Sequence, residues 1–341
     1  MRSRVMKASS TIRDEIESNA SRVNEFILSF LEGEPSELYQ ASAHYIMSGG
    51  KRLRPFIVIK SCEMFGGNSN MAMPAAAALE MVHNFSLVHD DIMDNDDIRH
   101  GVTTVHKYYG MPLAILAGDI LFSKAFQLLV VNSRELGLKV DSITEMVARL
   151  STACISVCEG QAKDVGMAYD RKFSAKSQYI NMISKKTAAL FEASCILGVL
   201  SAENSNNNDI ENLASFGRNI GIAFQLIDDL IGIVGDPKLT GKAVGNDIRE
   251  GKKTYPIFLA LENATCYERD KILKAFNSKN ASDIDLKETV GIISATGIDQ
   301  YIRNTAKDHI AKAMKSIEYY KESVPKKALE SAARFIVERS L

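Results

Sequence analysis

Apolar residues recur along most of this chain at three- and four-residue intervals, the spacing that gathers side chains on one face of an α-helix. Residues 12–32 show the pattern with Ile12, Ile16, Val23, Phe26, Ile27 and Phe30, and Glu32-Gly33 is the stop. The same period predicts helices over 36–48, halted by Gly49-Gly50, and over 72–95. Further helical patterns cover 112–136, 141–168, 174–202, 208–234, 255–263 and 301–320. No Val/Ile/Thr-rich alternation flanked by hairpin turns is visible. The polar tract 203–209 and the loop 235–254 are the clearest connections, and neither is long or biased enough to separate domains. The pattern therefore predicts one all-α domain over 1–341, built as a large helical bundle.

Composition adds limits. Of 341 residues, 46% are hydrophobic and 24% charged, ordinary for a globular chain with a sizeable core. A formal net charge of −1 supplies no global field for nucleic acid or anionic lipid. The five cysteines, Cys62, Cys154, Cys158, Cys195 and Cys266, contain no C-x-x-C and predict buried free thiols in a reducing compartment. The basic N-terminus lacks the apolar stretch of a signal peptide. No apolar run approaches the ~18 residues of a membrane span. The expected protein is soluble and cytoplasmic, with no membrane span and no nucleic-acid partner.

The candidate chemistry lies in acidic pairs. Asp90, Asp91 and Asp94 form D-D-x-x-D on one predicted helix, and Asp90 and Asp94 share a face. Carboxylates stacked there repel each other unless a cation neutralises them, and Mg²⁺ bound by one or two carboxylates plus substrate phosphates fits. A weak echo follows, since 85–94 and 224–232 share an apolar lead-in and then an aspartate pair. An isolated pair would simply solvate a helix surface, but both follow apolar runs where exposed aspartates are not expected. Cations accompany them: Lys51, Arg52 and Arg54 after Gly49-Gly50, Arg99, Lys185 and Lys186, and Lys238, Lys242, Arg249, Lys252 and Lys253. Any one such cluster is ordinarily solvated surface. Together with two acid pairs they suit a diphosphate. A nucleotide P-loop is rejected: 235–243 and 245–254 put five residues between the glycines where four are needed, with Ala243 and Lys253 in place of Ser or Thr. A His-Asp phosphohydrolase built on His89-Asp90 would leave the second acidic pair without a role.

These motifs, from Gly49 to Thr254, strongly resemble the trans-isoprenyl diphosphate synthases. The resemblance implies an all-helical fold around a central cavity, a homodimer, and Mg²⁺-dependent head-to-tail condensation of isopentenyl diphosphate with allylic diphosphates. Carried over by residue, Asp90 and Asp94 resemble ligands for two Mg²⁺ ions on the allylic diphosphate, and Asp228 resembles the ligand for a third. Arg99, Lys186 and Lys242 look like contacts to that diphosphate, with Lys252 a further lysine near it. Lys51, Arg54 and His83 look like the isopentenyl diphosphate pocket. Thr187 and Gln225 match positions beside the reacting carbons, which makes them catalytic candidates with Lys186. Gln161 and Asp164 match a polar segment lining the cavity.

Two departures stand out. The family's Arg-Arg-Gly after the first motif is here Arg99-His100-Gly101, which puts histidine at a position that contacts isopentenyl diphosphate. A histidine does this best when protonated, so that binding is expected to weaken as pH rises through its titration, near ~6.5 for an unperturbed group. Gly232 stands where many members have a third aspartate. For product length, Phe85 and Ser86 lie five and four residues before Asp90, ~6–7.5 Å along the helix. An aromatic followed by a small residue there resembles archaeal-type geranylgeranyl synthases, although a helical Phe is ordinarily core. Farnesyl or longer products, a noncatalytic subunit of a heteromeric synthase, and a terpene cyclase or head-to-head enzyme remain the alternative readings.

Overall fold

The computed structural model describes residues 2–169, 176–202, 205–235, 245–278 and 281–338. The chain forms two compact units from interleaved segments: Met1–Cys154, Leu190–Gly217 and Tyr319–Ala332 in the first, and Ile155–Ala189, Arg218–Glu318 and Ala333–Leu341 in the second. The all-α class expected from periodicity is the one observed. The single exception among the described residues is a short antiparallel hairpin, β1 (Ile98–Arg99) with β2 (Val102–Thr103). Strands of two residues are too short to carry a period.

In the first unit, α1 (Arg2–Leu28), α2 (Ser36–Met47), α3 (Leu53–Met64) and α4 (Ser69–Asp94) precede the hairpin, and α5 (Val105–Tyr108) and α6 (Met111–Glu135) follow it. Helix α4 is its centre and packs on α3 and α6. The Asn68 side chain caps its start by accepting from the backbone N–H groups of Asn70 and Met71 at 3.0 and 3.2 Å. The buried run Ala75–Ala78 lets neighbouring helices approach closely. Asn95, left-handed at φ 54, ends the helix immediately after Asp94. The first acidic motif therefore occupies the last turns of α4, where the helix dipole is already negative. Periodicity missed α3, because Phe56–Ile59 is buried on every side and has no polar face to mark it.

Helix α6 is apolar and long enough to cross a membrane by length and composition alone. This departs from the expectation that no segment would be. Its buried face, Ala114, Ala117, Leu121, Ala125 and Leu128, packs within the first unit against α4, α2 and α5.

The chain continues through α7 (Val140–Tyr169), α8 (Lys176–Ile183), a π-helical turn (Ser184–Ala188), α9 (Ala189–Leu200) and α10 (Asn207–Val234). It ends with α11 (Asn246–Arg249), α12 (Tyr255–Asn263), α13 (Cys266–Ala275), α14 (Asp283–Ala295), α15 (Ile298–Ile317) and α16 (Val324–Val337). In the second unit, α12 packs against α8, α13, α14 and α15. Helices α13 and α14 escaped the periodicity reading, yet each opens with a capping box, Thr265 with Glu268 and Ser282 with Asp285. Cys62, Cys154 and Cys195 are buried, Cys158 and Cys266 are exposed, and all five are free thiols.

Candidate active site

The first unit arranges its charged residues around the C-terminal end of α4. Asp90 is half-buried and Asp94 exposed, whereas Asp91 between them is 0% exposed. Asp91 accepts a 2.6 Å hydrogen bond from Arg99 Nε and another from the Tyr45 hydroxyl. Burial raises its pKa, and the Arg99 guanidinium opposes that. Arg99 ends the first strand of the hairpin, whose tip is His100-Gly101, both at positive φ (51 and 80). That is the pattern of a tight two-residue turn, and histidine is among the non-glycine residues that tolerate it. His100 is exposed at this tip.

The glycine turn before α3 supplies three cations of unequal role. Arg52 is left-handed at φ 47 and consumed by the fold: it pairs with buried Glu80 at 3.0 Å and donates to Asn24 Oδ1 at 2.8 Å and Ile46 O at 2.9 Å. Lys51 is exposed and Arg54 half-buried. The Arg54 guanidinium lies 4.5 Å from the Phe191 ring centre, and its Nη1 donates to His83 Nε2 at 3.1 Å. Burial and the adjacent Arg54 charge hold the His83 pKa well below its ordinary value. A neutral imidazole accepting at Nε2 carries its proton on Nδ1.

Below the acidic end of α4, Phe85 contacts two rings. It lies edge-on to His89 at 4.7 Å and tilted against Phe122 of α6 at 5.2 Å, and Phe126 continues the row at 5.1 Å from Phe122. Gly118 permits the approach, since a Cβ there would sit 2.3 Å from His89 Nε2. Ser86 turns its hydroxyl back to His83 O at 2.7 Å. Phe122 was missed from sequence, although the Phe122/Phe126 pair at helical spacing was its signal.

The second unit gathers a separate set. Lys185, Lys186 and Thr187 lie on the π-helical turn, a wide turn that frequently marks functional sites. Gly160 of α7 packs directly on this backbone: a Cβ there would be 2.3 Å from Lys186 N. That contact sets Asp164 beside Lys186, at 2.6 Å from its Nζ. Gln161 is buried, and neither amide atom has a hydrogen-bond partner. Thr187 Oγ1 donates to Gln225 Oε1 at 2.7 Å, and Gln225 Nε2 donates to Asp229 Oδ1 at 2.7 Å. The buried Tyr179 hydroxyl donates to the other Asp229 oxygen. Burial pushes the Asp229 carboxyl up to about 7, opposed by those two hydrogen bonds and reinforced by Asp247 and Asp228.

Asp228 is exposed, one residue before buried Asp229. A Cβ on Gly232 would lie 2.1 Å from Asp247 Oδ2, so a carboxylate from α11 stands beside the position where the motif lacks its third aspartate. Lys252 pairs with Glu250 at 2.8 Å. Lys242, like Lys238, lies outside the described residues. Tyr45 and Tyr179 reach Asp91 and Asp229 from other helices, and Asp247 comes beside Gly232 from α11, with no sequence motif to announce any of the three.

An all-carboxylate donor set suits a hard cation such as Mg²⁺. Among the described residues no group of three or more His, Cys, Asp or Glu is assembled to hold a metal. The unpartnered amide of Gln161 is the kind of buried polar group that a polar ligand satisfies.

Comparisons with known proteins agree with this chemistry. A family model, polyprenyl synthetase, matches residues 35–293. Geranylgeranyl diphosphate synthase of Sulfolobus acidocaldarius is 45% identical over 320 residues, covering 93% of this chain and 95% of that protein. Geranylgeranyl pyrophosphate synthetase from Pyrococcus horikoshii superposes with a TM-score of 0.90 at 39% identity, over 97% of this chain and 99% of that one. Polyprenyl synthase from Caulobacter crescentus, complexed with calcium and isoprenyl diphosphate, superposes with a TM-score of 0.86 at 28% identity, over 97% of each chain.

Proposed function

The chain belongs to the polyprenyl synthetase family, and on that premise we propose that it condenses isopentenyl diphosphate head-to-tail with allylic diphosphates, with geranylgeranyl diphosphate as the main product. The observation that carries this reading is the 45% identity to a geranylgeranyl diphosphate synthase over nearly the whole chain. Asp90, Asp94 and Asp228 would hold the Mg²⁺ ions, three in this reading, that accompany the allylic diphosphate. When bound, magnesium stabilises the charge that develops on the departing diphosphate. Arg99, Lys186, Lys242 and Lys252 add fixed positive charge to the same group. Lys51, Arg54 and His100 bind isopentenyl diphosphate, and neutral His83 orients Arg54 through the bond at its Nε2.

Thr187 and Gln225 turn oxygens toward the electron-poor carbon without offering it a strong nucleophile. The hydrogen-bond chain through Asp229 supports this, because it fixes which end of the Gln225 amide carries oxygen. The row Phe85, Phe122 and Phe126 limits the tail. We read both units as one domain and the protein as a homodimer. The exposed Ile115, Leu116 and Val131 of α6 supply apolar surface for a second copy. The test is purified chain with Mg²⁺, isopentenyl diphosphate and dimethylallyl, geranyl or farnesyl diphosphate in turn, with products separated by length. Twenty-carbon product from each primer is expected. Failure with every primer would sink the reading and favour a noncatalytic subunit.

A further inference from the structure

We propose that Tyr45 and Tyr179 are matched positioning residues, each locking the second aspartate of one motif so that this aspartate aims a substrate-facing side chain. The proposal deepens the synthase reading and rests on it. In the first unit, both oxygens of Asp91 are engaged, Oδ1 by Arg99 Nε at 2.6 Å and Oδ2 by the Tyr45 hydroxyl. Tyr45 is 2% exposed and held at its own oxygen by the backbone N–H of Val105 at 3.2 Å. One hydroxyl therefore ties α2, the end of α4 and the start of α5 together. Through Asp91 it also fixes Arg99, a proposed diphosphate contact.

The second unit repeats the device. Both oxygens of Asp229 are engaged, Oδ2 by the Tyr179 hydroxyl and Oδ1 by Gln225 Nε2 at 2.7 Å. Gln225 Oε1 in turn accepts from Thr187 at 2.7 Å, so that the amide cannot flip without losing two bonds. The tyrosine fixes Gln225 and Thr187 through Asp229. In each motif the neighbours proposed to hold cations, Asp90 and Asp94 or Asp228, are more exposed than the locked aspartate. Successive helical residues point about 100° apart, which is how one motif serves both faces. A buried carboxylate with both oxygens satisfied would lose charge-assisted bonds by turning to any other partner.

The experiment compares wild type with Tyr45→Phe, Tyr179→Phe, Asp91→Asn and Asp90→Asn. It reads kcat, KM for each substrate, the Mg²⁺ concentration for half-maximal activity, and calorimetric binding of inorganic diphosphate with Mg²⁺. Tyr45→Phe is expected to raise the allylic KM and weaken diphosphate binding about tenfold, the effect of one mispositioned charged hydrogen bond. The KM for isopentenyl diphosphate and the Mg²⁺ requirement stay as in wild type. Asp91→Asn follows Tyr45→Phe, whereas Asp90→Asn raises the Mg²⁺ requirement. Tyr179→Phe is expected to lower kcat about tenfold with both KM values retained. Phe variants that change thermal stability alone would overturn the proposal, as would a raised Mg²⁺ requirement in Tyr45→Phe. If wild type turns over no primer, the synthase reading has failed instead, and the calorimetry still decides the role of Tyr45.

Discussion

Replacing Gly160 with alanine tests how the second unit is built. The added Cβ would lie 2.3 Å from Lys186 N, 2.6 Å from Lys186 Cα and 2.8 Å from Lys185 C. All three are backbone or backbone-attached atoms, so no side-chain rotation relieves the overlap. Ordinary contact requires α7 and the π-helical turn to part by about 1 Å. Overpacking of this kind costs about 1–3 kcal/mol. The functional cost is larger, because the displaced turn carries Lys186 and Thr187, and a misplacement of about 1 Å can lower a rate about a hundredfold. Gly166 on the same helix is the control, since a Cβ there meets nothing within 4 Å. The assay is kcat measured well below the melting temperature of each variant, beside denaturant unfolding. Gly160→Ala is expected to lose about a hundredfold in kcat and about 2 kcal/mol, with Gly166→Ala near wild type in kcat and more stable by up to about 1 kcal/mol. A Gly160→Ala protein with kcat within about threefold of wild type and unchanged stability would show that this contact does not position the π-helical turn.

Other substitutions probe other parts. Phe85→Ala removes the ring that meets Phe122 and should lengthen the products, and an unchanged product distribution by chromatography would count against a floor at Phe85. Asp229 has a folded-state pKa raised from 3.8 to about 7, so its contribution to stability is full below 3.8 and lost as pH rises through about 7. Relative to wild type, Asp229→Asn should therefore gain stability between pH ~4 and ~7, by at most about 4 kcal/mol, and a flat difference between the two unfolding curves would contradict this. His100→Arg should flatten the dependence of the isopentenyl diphosphate KM on pH, whereas profiles identical to wild type would remove His100 from that pocket.

Much of the fold was legible because amphipathic helices advertise themselves. Helices α2, α6, α7 and α10 lie within a residue or so of the stretches read from periodicity. The exceptions have physical reasons. Helix α3 is buried all round and lacks a polar stripe. The stretch 174–202 looked continuous because the π-helical turn keeps the same apolar composition while changing the backbone. The acidic motifs were legible as chemistry, since adjacent aspartates after apolar runs need a cation. Their internal division of labour was not, because Tyr45 and Tyr179 reach Asp91 and Asp229 across the fold. Arg52 and Arg54, two residues apart, are equivalent in charge and spacing, and only the family resemblance singles out Arg54 from sequence. Burial beside Glu80 gives the physical reason that Arg52 is structural, whereas Arg54 is stacked on Phe191.

In the proposed reaction, the aspartate motifs and their basic partners couple departure of diphosphate to attack by isopentenyl diphosphate. The most direct measurement is release of inorganic diphosphate by the purified protein, followed in parallel with consumption of isopentenyl diphosphate, using farnesyl diphosphate as primer. One diphosphate released for each isopentenyl diphosphate consumed is expected, with no release when either substrate is omitted, loss of release with a chelator, and its return with Mg²⁺. Release from the allylic substrate alone, or none under any of these conditions, would contradict it.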